Sequence, residues 1–247
     1  EPIYSDGGRR VLIPLVHRLM AEQKKVLIFR QSRGEAAACA AYLSQSLGLP
    51  EASQTVALLP DGDPSSSSAT LRRTLLGGVA FHTTDLNRDE RVAVEDEFRS
   101  PDSTLRVVVA TPTLALGVNT PASAVVVVGL THPGAPPTPY SVAEYKNMVG
   151  RAGRLGHSES GESYLIPEGG LDSGRAWGGY VKGSLEHLRS QLVPDGDPRS
   201  LMLRVFSALR GDATALLSEA EILGFLESSF AAFQARRDPA LTQWTAE

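Results

Sequence analysis

A single cysteine, Cys39, stands in the 247 residues, so no disulfide can form within the chain and its fold must rest on packing and hydrogen bonds. No stretch approaches the roughly eighteen uncharged apolar residues of a membrane span, which argues against a membrane partner. The opening EPIYSDGGRR lacks a basic start followed by an apolar core, so no secretory signal is expected and a reducing, cytoplasmic setting is. The five histidines are scattered without zinc-ligand spacing, and no metal site is expected among these residues. Surplus positive charge is missing as well. A net charge of −4 excludes a protein that coats nucleic acid by bulk electrostatics, so any such contact must be a local groove. Neither a G-x-x-x-x-G-K-[ST] phosphate loop nor a G-x-G-x-x-G turn after a strand is present, which leaves no self-contained nucleotide cradle of either kind.

What is present alternates between two patterns. Short apolar runs without polar alternation, VLIF at 26–29, VAFH at 79–82, LRVVVA at 105–110, AVVVVG at 124–129 and SYLI at 163–166, read as strands buried on both faces. Between them lie helical stretches. One is amphipathic over 9–23, one is alanine-rich and ends at Gly48, one is short and ends near Leu76, and one follows Asn87, whose spacing to Glu90 predicts a capping box. Strands separated by helices predict an α/β fold, a parallel sheet with helices on both faces. PDGDPSSSS and its flanks, 50–68, read as a flexible loop, THPGAPPTP as a loop too rich in proline for a regular element, and PEGGLDSGRAWGG as a linker. After residue 181 the pattern is helical only, in SLEHLRSQL, SLMLRVFSALRG and LSEAEILGFLESSFAAFQARR. The expected domains are therefore 1–170, α/β, and 181–247, a small helical module.

In an open parallel sheet, ligands bind beyond the carboxyl ends of the strands. Polar residues gather there: Gln31, Ser32 and Arg33 after the first strand, His82 to Asp85 after the second, and Thr111, Thr113, Gly117 and Asn119 after the third. Such a rim of hydroxyls and amides suits a phosphodiester backbone, although Ser and Thr at these places also cap the helices that follow. In EYKNMVGRAGRLG, Arg151 and Arg154 stand between Gly150, Gly153 and Gly156. Guanidiniums on backbone without intervening Cβ atoms suit a phosphate, and a solvated turn is the plain alternative.

VLIFRQSR, VAFHTTDLNRDER, VVVATPTLALGVNTPA and EYKNMVGRAGRLG, in this order, resemble motifs IV, IVa, V and VI of superfamily-two DExH-box helicases, and most closely the Ski-like branch. The resemblance covers about 26–166, the second RecA-like motor domain, and a fainter one extends to a degenerate winged-helix module in the C-terminal helices. It implies an ATP-dependent helicase or translocase. Arg151 and Arg154 would be catalytic fingers toward the γ-phosphate of ATP, while Gly117, Asn119, Asn147 and Gly150 would contact the nucleotide. Ser32, Arg33, His82, Thr83 and Thr111 would hold a single strand of DNA or RNA. ATP and Mg2+ would be bound mainly by an N-terminal RecA-like domain of the same parent chain. Asn147 stands where the family usually has glutamine, and Thr83 and Asp85 stand where it commonly has a second histidine and then a glycine. Archaeal repair helicases of this branch carry a strand-separating β-hairpin between motifs V and VI, where this chain has only the short proline-rich segment, so translocation is implied more firmly than unwinding.

The phosphate loop and the DExH box are both missing from these residues, so the fragment alone is expected to be inactive: a finger without magnesium ligands and a positioned water has nothing to stabilise. Without the opposing domain, Arg151 and Arg154 are expected to be exposed. A module that grips nucleic acid or protein without ATPase activity is the alternative.

Overall fold

The computed structural model describes residues 9–61, 65–116, 122–153, 160–168, 172–188, 190 and 218–237. Two compact units are distinguished, Glu1–Glu186 and His187–Glu247. In chain order the first contains α1 (Arg9–Ala21), β1 (Val26–Phe29), α2 (Arg33–Ser46), α3 (Ser53–Leu58), α4 (Ser66–Leu75), β2 (Val79–His82), α5 (Arg88–Arg99) and β3 (Val107–Ala110). A 3-10 turn at Pro112–Leu116 follows, then β4 (Ala124–Val128), β5 (Thr131–His132), β6 (Thr138–Pro139), α6 (Val142–Val149), β7 (Glu162–Ile166) and α7 (Ser173–Ala176).

The main sheet runs in the order β2-β3-β1-β4-β7 with every pair parallel. Every residue of β1 to β4 is buried. Successive side chains of a strand point to opposite faces, so both faces of this sheet are covered, as the uninterrupted apolar runs require. Each Val, Leu, Ile or Phe so buried contributes about 1.5–3 kcal/mol relative to exposure. Leu12, Val16 and Leu19 bring the apolar face of α1 into the same core. β7 is the more exposed edge, where Lys24 pairs with Glu162 and Arg18 donates to the Tyr164 hydroxyl.

Local signals set several boundaries. Asn87 accepts from the Glu90 N–H at 2.9 Å while the Glu90 carboxylate accepts from the Asn87 N–H at 2.9 Å, the reciprocal box that starts α5. Lys25 closes its other end by donating to the carbonyls of Phe98 and Ser100. α2 stops at Ser46, with Gly48 just beyond it at φ 60°.

Four expectations are corrected. Residues 53–58, within the expected flexible loop, form α3, held by the Ala52 N–H donating to the Leu75 carbonyl and by contacts of α3 with α4 and α5. The proline-rich segment 132–139 is no mere loop, since β5 and β6 pair antiparallel as Thr131 to Pro139 and His132 to Thr138. Pro139 needs no ladder donor at the end of so short an edge. The expected linker at 167–179 includes α7 and, after it, a π-turn at Trp177–Val181, with Ala176 buried and Tyr180 packed on the core. SLEHLRSQL does not begin as a helix: residues 183–188 are irregular, and Glu186 spends its carboxylate on the start of α6.

In the second unit, α8 (Glu219–Glu227) begins with a Ser218–Glu221 capping box, and α9 (Phe230–Arg237) follows after a break at Ser228 and Ser229. The Gln234 amide bonds the Ser190 N–H and the Leu188 carbonyl. The helix expected at 200–211 lies outside the described residues. No helix among the described residues is long and apolar enough to cross a membrane.

Candidate nucleic-acid and nucleotide interface

The strand order sets the loops after β2, β3 and β1 side by side at the carboxyl edge, and a cleft of about 450 Å3 opens there. Ser32 comes to it from the end of β1, where its hydroxyl also caps α2 by accepting from the Glu35 N–H at 3.2 Å. Capping and cleft lining are therefore one position, and the hydroxyl proton remains available to an incoming acceptor. Arg33 lies beside it, its guanidinium paired with Asp85 from the loop after β2. Thr111 follows β3 almost fully buried, its hydroxyl 2.8 Å from that of Thr113. The fourth contributor is Asn147, exposed on α6. Of the expected strand contacts, Ser32, Arg33 and Thr111 thus share one cleft. Asn147, expected at the nucleotide, shares it with them.

His82 and Thr83 do not line it. The His82 ring is buried and its Nε2 lies 2.7 Å from Glu95 Oε1 on α5. Burial pulls its pKa below the ordinary histidine value, against the opposing pull of Glu95. Thr83 is 2% exposed, and its hydroxyl has no hydrogen-bond partner. The residue of this loop that faces the cleft is Thr84. The reason lies in the strand: β2 buries all four of its residues, so its last side chain, His82, is committed to the helix packed on it.

Sequence reasoning also passed over His132 and Glu144. His132, from β5, places Nε2 3.0 Å from Glu144 Oε1 and packs edge-on to Tyr140 with ring centroids 4.6 Å apart. The other Glu144 oxygen accepts from the Ser141 N–H and hydroxyl, while Ser141 Oγ accepts from the Glu144 N–H, a second capping box. Burial raises the Glu144 pKa, but the Ser141 bonds and His132 outweigh it and hold the carboxyl below its usual range. The S-x-x-E spacing at 141–144 was a legible signal for the box; nothing adjacent in sequence joined His132 to it.

At the other end of α6 the chain turns sharply. Gly150 ends the helix with its N–H donating to the Lys146 carbonyl at 2.9 Å. Arg151 follows, half-buried where an exposed side chain was expected. Its carbonyl accepts from Ala122 N–H at 3.0 Å, and Gly153 N–H returns to the Ala122 carbonyl at 3.1 Å, which fixes the turn beside the start of β4. Gly153 has φ 64°, and a Cβ there would sit 2.3 Å from the Gly161 nitrogen, so glycine alone permits this crossing of two backbones. Arg154, Gly117 and Asn119 lie outside the described residues. Among the described residues no group of three His, Cys, Asp or Glu side chains could hold a metal ion.

A parallel sheet with a polar carboxyl edge and a glycine-pinned arginine turn now meets its relatives. Residues 9–156 match the helicase conserved C-terminal domain. The chain belongs to that family. Among individual proteins it is 40% identical over 182 residues to the ATP-dependent DNA helicase Hel308 of Pyrococcus abyssi, covering 70% of this chain and 23% of that protein. It is 34% identical over 238 residues to the Pyrococcus horikoshii protein of the same name, covering 91% and 31%. With the Caldivirga maquilingensis protein of that name it shares 30% identity over 253 residues, 94% and 32%. The chain thus spans less than a third of the length of these relatives. For a helicase C-terminal domain, the cleft and the Arg151 turn are the two surfaces to explain, and the eight-residue α6 serves both, lining the cleft with Glu144 and Asn147 and leading into the turn after Val149.

Proposed function

We propose that this chain is the second motor domain, with a following helical module, of an ATP-dependent DNA helicase or translocase of the Ski-like branch of superfamily two. The observation that carries the reading is the meeting of Ser32, Arg33, Thr111 and Asn147 in one cleft at the carboxyl edge of the sheet. A single strand crosses there, held by hydroxyl and guanidinium donors to its phosphates. DNA is favoured over RNA by the names of the relatives. The division into a motor domain over 1–170 and a winged-helix-like module over 181–247 belongs to the same proposal.

The Arg151 turn is the nucleotide end. A guanidinium fixed beside the start of β4 suits a triphosphate, and Arg151 and Arg154 would stabilise charge developing on the transferred phosphoryl group, an effect of roughly 10³ to 10⁵ in rate in other nucleotide hydrolases. The phosphate loop and the Mg2+ ligands come from a first motor domain of the parent. Helix α6 joins both ends: its start is tied to the β5–β6 hairpin through Glu144 and His132, and its end carries the arginine turn. The hairpin falls in the segment between β4 and α6, where the resemblance implies a strand-separating wedge.

The test is made in the full-length parent. Arg151→Ala and Arg154→Ala abolish ATP hydrolysis while strand binding is retained, and the 247-residue chain alone shows no strand-stimulated hydrolysis. Unchanged turnover in both variants refutes the finger role. Robust turnover by the chain alone, or its failure to bind any single strand, refutes the larger reading, the first by making another motor domain unnecessary.

A further inference from the structure

The cleft is larger and differently walled than a phosphodiester contact requires. Phosphates are met by donors on an open rim, whereas a concavity of about 450 Å3 is in the range of sites that enclose a small organic group, about 300–1,000 Å3. Its walls are partly flat and apolar: the Pro112 ring after β3 and, from the hairpin, Pro133 and the His132 imidazole. Its polar groups include amides, Asn147 and Gln31, which both donate and accept. The Gln31 amide lies over Gly129 so closely that a Cβ there would fall 1.9 Å from its nitrogen. The cleft also contains the Glu144 carboxylate, which repels a phosphate but tolerates the amino groups of bases.

The geometry points to a nucleobase pocket: one base of the single strand turns away from its neighbours into this cleft, lies against His132, and presents its edge to Asn147 and Gln31. The inference rests on the strand path proposed above and adds a subsite to it. His132 is fixed for the role, with Nε2 held by Glu144, Tyr140 edge-on at 83°, and 41% of its side chain still exposed. Ser32, Arg33 and Thr111, which line the same cleft from the ends of β1 and β3, are left for the phosphates that flank that base.

The test uses the 247-residue chain and two short single-stranded DNAs of equal length, one normal and one carrying consecutive abasic sites. The normal strand binds about tenfold or more tightly than the abasic one, the order expected of one base stacked on a flat side chain. His132→Ala removes that difference and leaves abasic binding unchanged, and His132→Phe, which keeps a ring and loses the Glu144 pair, restores it. Asn147→Ala weakens the normal strand alone. Equal binding of both strands, with His132→Ala altering neither, overturns the base pocket and leaves the strand path standing. Displacement of the normal strand by excess ATP in a His132-dependent manner assigns the cleft to nucleotide and overturns the proposal as well. Failure to bind either strand removes it together with the strand path.

Discussion

Arg33 Nη1, at the start of α2 just beyond β1, lies 2.5 Å from Asp85 Oδ1 of the loop after β2, so an acid neutralises the one guanidinium that the cleft presents among its described lining residues. The two strands bracket β3, the strand that carries Thr111. Exposed at 58% and 39%, the pair is well hydrated and contributes little to stability. Its effect falls on charge at the cleft. Asp85→Asn therefore tightens binding of a single strand and steepens its salt dependence by about one phosphate contact, while the unfolding midpoint barely moves. Titrations at two salt concentrations decide it, and Arg33→Ala in the Asp85→Asn background cancels the gain.

His82 gives the fold a pH dependence. Its pKa is lowered in the folded state chiefly by burial, so the unfolded chain binds the proton more readily. The stability from this group is fully present above the ordinary histidine value of 6.5 and is lost as pH falls below it. Thermal unfolding of the wild type is expected to shift downward between neutral pH and pH about 5. In His82→Gln that part of the slope disappears, which separates it from the carboxylates titrating further into acid.

Glu186 holds the start of α6 from outside the helix, accepting from the N–H groups of Val142 and Ala143. Lys146 donating to the Val181 carbonyl and Tyr180 donating to the Tyr140 carbonyl complete a strap over that helix. The Val142 N–H, followed by the N–H groups of Glu186 itself and of Ala143, holds the Glu186 carboxyl below its usual range. A depressed carboxyl stabilises above its unfolded pKa and ceases to do so as pH falls through the folded one. Glu186→Gln lowers the unfolding midpoint at neutral pH, and the gap to wild type closes in acid. A pH-independent gap would point to lost packing instead.

Gly153→Ala introduces a Cβ at φ 64° and against the Gly161 backbone. A cost above about 1 kcal/mol is expected, measured by denaturant unfolding. In the full-length parent the same substitution lowers ATP hydrolysis and leaves single-strand affinity near that of wild type, because it displaces the arginine turn while no described residue of that turn lines the cleft.

Much of the fold was legible because its causes are local. Valine runs without alternation called for strands buried on both faces, and Asn87 with Glu90 fixed the start of α5. The misread segments are those where a distant partner overrides local composition. Serine and proline around α3 spoke for a loop until packing on α4 and α5 ordered it, and the apolar spacing after residue 181 spoke for a helix until Glu186 was drawn to the N-terminus of α6.

The site divides in the same way. Sequence alone determined the chemistry at the strand ends and the glycine-framed arginines, since residue type and spacing need no third dimension. Only the tertiary structure decided that Thr84 and not His82 faces the cleft, that Asn147 joins Ser32 and Thr111, and that His132 is held there by Glu144. Those choices follow from the strand order and from which helix packs on which strand end, relations between residues far apart in the chain that no local pattern encodes.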